Sequence, residues 1–119
     1  GATKLPSVQI HTLDAKSGTM APMAMLRLLY AELGVRTLLH EGGPTFFGQF
    51  LEAEAVDELF LTLSPQIAGR EGDTIRPGLV EGIEFMPDRS PGFQLLSVKQ
   101  RAEHLYLRYG RSGGHPPMA

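Results

Sequence analysis

LLHEGGPTFFGQF, residues Leu38 to Phe50, is the stretch on which the reading of this chain turns. The β-rich run Val35 to His40 leads into it and stops abruptly at Glu41, Gly42, Gly43 and Pro44, the pattern of a buried strand closed by a tight turn. Thr45 is placed to cap a helix, and Phe46, Phe47, Phe50 and Leu51 recur at helical spacing to give that helix an apolar stripe. A carboxylate and two glycines thus stand at the carboxyl end of an expected strand, the edge at which open α/β sheets hold ligands. Glycine admits backbone angles closed to other residues and lets a phosphate or a ring approach the main chain. The helix that follows offers unpaired amides and the positive end of its dipole. The segment reads as a nucleotide-binding turn; the plain alternative is a tight connection that binds nothing.

Upstream, Val8, Ile10 and Thr12 alternate with Gln9 and His11, which predicts a short strand with one buried face. After the turn-prone Lys16, Ser17 and Gly18, Thr19 can cap a helix from about Ala21 to Leu33, with Pro22 tolerated in its first turn. Leu26, Leu29, Tyr30 and Leu33 share one face of it, and Gly34 stands where a left-handed terminating residue is wanted. Downstream, Val56 to Ser64 has strand character until Pro65 stops it. The order strand, helix, strand, helix, strand predicts parallel pairing through right-handed crossovers. Gly69 to Gly82 reads as an exposed loop. Phe93 to Gln100 and His104 to Tyr109 flank Arg101, Ala102 and Glu103 and predict an antiparallel hairpin, so the sheet is expected to be mixed.

Composition bounds the possibilities. The chain has 119 residues, room for one small domain, and its 42% hydrophobic and 20% charged residues call for a packed core. A net charge of −2 without any basic run disfavours nucleic acid and anionic membrane as partners. There is no cysteine, which excludes disulfides, thiolate zinc sites and a cysteine nucleophile. Apolar stretches such as Leu59 to Leu63 are too short to cross a bilayer and the N-terminus lacks a secretory pattern, so a cytoplasmic protein is expected. Neither GxGxxG nor GxxxxGK[ST] occurs.

Other chemistry-bearing residues read as structural. His40 and Glu41 are adjacent and on a strand would point to opposite faces, which makes one metal site from both unfavourable and leaves His40 as a packed or hydrogen-bonded side chain. His11, His104 and His115 have no short metal-ligand spacing, and no metal site is assigned. Asp57 and Glu58, at a helix-to-strand junction, read as capping or surface carboxylates, and no catalytic residue is assigned. Phe46, Phe47 and Phe50 read as core, with Phe46 or Phe47 at the border of any cofactor. The loop bearing Arg70, Glu71, Gly72, Asp73 and Arg76 reads as solvated.

Taken with LEAEAVDELFLTLSPQIAG, residues Leu51 to Gly69, the opening segment resembles the reductase domain of bacterial riboflavin deaminase-reductases, which shares the dihydrofolate reductase fold. The resemblance rests on Glu41, Gly42, Gly43, Pro44 and Thr45, on Val56, Asp57, Glu58 and Leu59, on Ser64, Pro65 and Gly69, and on the closing hairpin with Tyr109. It implies an α/β fold with a dihydrofolate-reductase-like mixed sheet flanked by helices. It further implies an NADPH-dependent oxidoreductase whose parent reduces 5-amino-6-(5-phosphoribosylamino)uracil to its ribityl form. Glu41 would then contact the pyrimidine substrate. Gly42, Gly43, Pro44, Thr45, Phe46, Phe47, Gly48 and Gln49 would lie along NADPH, with the glycine pair resembling the cis Gly-Gly turn of dihydrofolate reductases. The family's domains run to roughly twice this length, in the ordinary range for domains. The chain is therefore expected to be an incomplete domain, with residues 1–111 its C-terminal part and 112–119 a flexible tail. An incomplete fold leaves sheet edge and apolar surface open, which favours a homodimer. The alternative is a non-catalytic nucleotide-binding or oligomerisation module derived from that fold.

Overall fold

The computed structural model describes residues 8–13, 15–16 and 19–113. The chain divides after Leu38 into two compact units. In the first, a two-residue ladder pairs β1 (Ala15–Lys16) antiparallel with β2 (Thr19–Met20), and α1 (Pro22–Leu33) follows. Helix α1 begins where the sequence suggests, but Thr19 is not its cap. Thr19 is held in β2, the cap position falls to Ala21 with no side-chain hydrogen bond, and Pro22 opens the first turn. Its other end is as expected: Gly34 adopts φ 66°, ψ 18°, and its amide satisfies carbonyls of the last turn. The strand expected over Val8 to Thr12 is absent among the described residues, and so is that over Val35 to His40. Alternation and β-propensity express only a preference. A strand exists through hydrogen bonds to a neighbour, and no described strand lies beside either run.

The second unit carries α2 (Pro44–Glu52), β3 (Glu58–Leu63), β4 (Phe93–Arg101) and β5 (His104–Arg111). The strands form a sheet in the order β3-β5-β4, and both pairings are antiparallel. The α/β class holds, while the parallel pairing predicted from Val35 to His40 and Val56 to Ser64 is not found among the described residues. The hairpin closes through Ala102 and Glu103, with Ala102 at φ 48°. A bulge at Leu96 sets Leu95 opposite Tyr109 and Ser97 opposite Arg108. Gly110 accommodates that bulge, since a Cβ there would meet Leu96 Cδ1 at 3.1 Å.

Period-two alternation sorts the sheet into two faces. Leu59, Leu61 and Leu63 face Tyr109, Leu107 and Leu105, and these in turn adjoin Leu95 and Val98. Leu61, Leu63, Leu95 and Val98 are exposed, so this apolar face is largely open. On the other face, Arg108 reaches diagonally to Glu58 and lies 5.7 Å from the Phe60 ring centre. Its Nε donates to Glu58 Oε2 at 2.9 Å and its Nη2 to Oε1. These hydrogen bonds hold the Glu58 carboxyl below its ordinary value; partial burial works against them, and the positive charge of Arg108 adds to the lowering. A carboxyl depressed on folding contributes stability that is complete above the unfolded pKa, about 4.3, and is lost as pH falls through the lower folded value. Glu58→Gln is therefore expected to flatten the acid side of the stability profile, read by urea unfolding from about pH 5 downward through the unfolded and folded values of the carboxyl. An unaltered profile would rule this contribution out.

The best-buried apolar residues of the second unit lie on α2. Phe50 is 2% exposed and Leu51 is also buried. Gly48 is buried against the segment that follows the loop, because a Cβ there would stand 3.0 Å from Val80 Cγ1 and 3.1 Å from the Glu81 carbonyl oxygen. The Glu81 amide donates to the Pro44 carbonyl at 3.3 Å and anchors that segment to the start of the helix. Gly48→Ala sets a helix-propensity gain of about 1 kcal/mol against this crowding and should be near neutral. Gly48→Leu adds bulk that the site cannot take and should cost about 1–3 kcal/mol in urea unfolding. A neutral Gly48→Leu would show that residues 80–83 are not packed on the helix.

Candidate functional site

Glu41, Gly42 and Gly43 are exposed, and Gly43 is the N-cap residue of α2 at φ 52°, ψ 136°, with Pro44 in the first turn. Thr45 was the expected cap; instead it lies inside the helix, and no side chain caps it. Gly43 supplies the cap conformation itself, and its carbonyl accepts the Phe47 amide at 2.9 Å. Pro44 has no amide to satisfy, so the first-turn amides that lack an intrahelical partner are those of Thr45 and Phe46. The Gly42–Gly43 peptide is trans, which corrects the cis turn implied by the resemblance: the chain reverses through the positive φ of Gly43. A Cβ placed on Gly42 or Gly43 meets nothing within 4 Å, so the outer surface of the turn is open.

His40 backs the turn. Its Nδ1 accepts the Gly42 amide at 3.4 Å, and its ring lies 4.9 Å from Phe46, 5.9 Å from Phe47 and 4.8 Å from Phe50 between centres. The expectation of a packed or hydrogen-bonded His40 is met on both counts. Of the three phenylalanines only Phe50 is fully core; Phe46 and Phe47 are half-buried around the imidazole. Gln49 is half-buried one turn further on. Residues Glu41 to Gln49 are thus brought together as one turn and its helix, although the turn does not end a strand.

One border of the turn was not legible. Gly82, at φ 78°, lies against Thr45, since a Cβ there would sit 3.4 Å from Thr45 Cγ2. The sequence suggests only an exposed loop through Gly82; the usable signal was Val80 and Ile83, two apolar residues flanking a glycine that both approach Gly48. Arg70 donates to the carbonyl of Arg76 at 3.1 Å within its own exposed loop. The Glu58 carboxylate is committed to Arg108, and the Asp57 main-chain carbonyl accepts the Arg111 amide at 2.9 Å. A shallow, mainly apolar depression around Leu63, Ile67 and Leu105 lies at the far end of β3 and contains none of the turn residues. No helix among the described residues is long and apolar enough to cross a membrane.

Chemically, the turn suits a negatively charged group: open glycines, uncapped amides and the positive end of a helix dipole point to an anion or a phosphorylated ligand. Together with the antiparallel sheet, this defines a small α/β domain with a glycine turn at a helix start. The chain belongs to the RibD C-terminal domain family, whose model matches residues 2–107. Two solved structures of RibD from Acinetobacter baumannii, form 2 and form 1, superpose with TM-scores of 0.63 and 0.62 at 22% identity. Each alignment covers 76% of this chain and 25% of the other, so the likeness establishes the fold, and the chain spans a quarter of those chains' length. None of the curated proteins matches.

Proposed function

We propose that this chain supplies the nucleotide-facing turn of an NADPH-dependent oxidoreductase of riboflavin biosynthesis, and that the parent protein reduces 5-amino-6-(5-phosphoribosylamino)uracil to the ribityl form. The observation that carries this reading is the open, uncapped glycine turn at residues 42–43, in a chain of the RibD C-terminal family. The residues fit a dinucleotide to this extent: the amides at the start of α2 suit a phosphate, and half-buried Phe46 and Phe47 offer apolar surface beside it. NADPH, when bound, supplies the hydride. The part left to Gly42 through Gln49 is to hold it, and Glu41, exposed at the lip of the turn, contacts the pyrimidine. No general acid or base is assigned within the chain.

Titration of the 119-residue chain with NADPH, followed by nicotinamide fluorescence, is expected to saturate; a flat titration would remove the reading of the turn. Turnover of the pyrimidine by the full-length parent then separates an enzyme from a binding module. A second reading, an oligomerisation module, draws support from the exposed apolar sheet face of Leu61, Leu63, Leu95 and Val98. In it the face meets its counterpart on a second copy, and sedimentation velocity should show a dimer at micromolar concentration; a clean monomer would dismiss it.

A further inference from the structure

His40 combines two features that a filler of apolar space would not have. Its Nε2 is buried without a hydrogen-bond partner among the described residues, while its Nδ1 accepts the Gly42 amide at 3.4 Å, the long end of hydrogen bonding. A neutral imidazole has one donor and one acceptor nitrogen, so accepting at Nδ1 places the hydrogen on Nε2. The imidazole that carries it is packed among phenylalanine rings, whose faces are weak acceptors at best. A leucine or phenylalanine would fill the space without burying an unsatisfied donor. The histidine gives one thing that those residues cannot: a lone pair on the turn.

We propose that His40 is a positioning residue of the glycine turn, clamped by Phe46, Phe47 and Phe50 so that its Nδ1 fixes the Gly42 amide and with it the approach of the chain to Gly43. Gly42 then has its amide committed to the ring. The groups left for an anionic ligand are the amides of Gly43, Thr45 and Phe46, presented in one geometry. The three rings act through His40 in this scheme: Phe46 is nearly stacked on it at 29°, while Phe50 is tilted against it at 58° and meets Phe46 edgewise at 74°. The orientation of an exposed turn is thereby set from the buried side of the helix that follows. This role rests on the nucleotide reading above as far as the ligand is concerned.

Two variants and one spectrum test it on the full 119-residue chain. Nitrogen-15 spectra under mildly alkaline conditions are expected to show His40 with its hydrogen on Nε2. His40→Phe keeps a ring among the three phenylalanines and removes the acceptor. It should leave the unfolding midpoint nearly unchanged, speed exchange of the Gly42 amide, and raise the NADPH dissociation constant roughly fivefold to tenfold, the range for one lost hydrogen bond. His40→Asn sets a carbonyl oxygen where Nδ1 stood; it should lose stability yet restore the slow exchange at Gly42. A hydrogen found on Nδ1, or unchanged Gly42 exchange in His40→Phe, overturns the proposal. Intact Gly42 protection in an unmodified chain that does not bind NADPH upholds the positioning of the turn and overturns the nucleotide reading instead.

Discussion

Phe50→Ala is expected to lower the unfolding free energy by about 3–5 kcal/mol, the usual range for truncating a buried phenylalanine. Phe50 is the most deeply buried large side chain of the described residues, at 2% exposure, and Leu51 beside it, at 9%, is the only other buried hydrophobic one among them. The second unit therefore has little reserve. Loss of the ring also removes the edge-on contact with Phe46, 4.9 Å between centres, and one wall of the His40 pocket. Against the 5–15 kcal/mol typical of native proteins, such a loss removes a large share of the stability and populates the unfolded state at room temperature at the low end of that range. Phe50→Leu keeps most of the volume and should cost clearly less. Urea unfolding followed by circular dichroism measures both. A Phe50→Ala midpoint within error of the unmodified chain would mean that α2 is not the centre of the core.

The way the helices were legible differs from the way the sheet was. Local chemistry fixes a helix: Pro22 and Gly34 bracket α1, and Gly43 and Pro44 open α2, because starting and ending a helix needs particular backbone angles at particular residues. The β4-β5 hairpin was legible for the same reason, since strict alternation of Leu105, Leu107 and Tyr109 follows a short polar turn. Val8 to Thr12 and Val35 to His40 carry strand-like sequence but make no ladder, because a ladder depends on a partner that a one-dimensional pattern does not name. Within the site, the residues of the turn were legible from their types. The cap was misplaced onto Thr45 because a hydroxyl is the commonest cap and a glycine cap leaves no side-chain mark. The packing of residues 80–83 on Gly48 left only a faint mark, the apolar Val80 and Ile83 flanking a glycine, because it is a contact between segments about thirty residues apart.

The sharpest test of the turn is a pair of alanine substitutions at neighbouring glycines that differ in backbone conformation. A Cβ at Gly42 or at Gly43 meets nothing within 4 Å, so neither variant clashes with the rest of the chain. Gly43, however, holds φ 52° with ψ 136°, outside even the left-handed region that asparagine tolerates, whereas Gly42 has no positive φ. Gly42→Ala should therefore leave stability within about 0.5 kcal/mol, as surface substitutions do. Gly43→Ala must either carry about 1–3 kcal/mol of backbone strain or escape it by turning the residue to negative φ. Escape is the costlier outcome for function. It swings the Gly43 amide away and redirects the chain entering Pro44, so the uncapped amides of Thr45 and Phe46 are no longer presented beside it. NADPH binding by Gly43→Ala is expected to weaken by at least roughly tenfold, equivalent to about 1.4 kcal/mol, with a smaller change in Gly42→Ala. Fluorescence titration and urea unfolding on the same two proteins decide it. Equal binding by both would mean that the conformation of Gly43 serves only to start α2 and that the ligand site lies elsewhere.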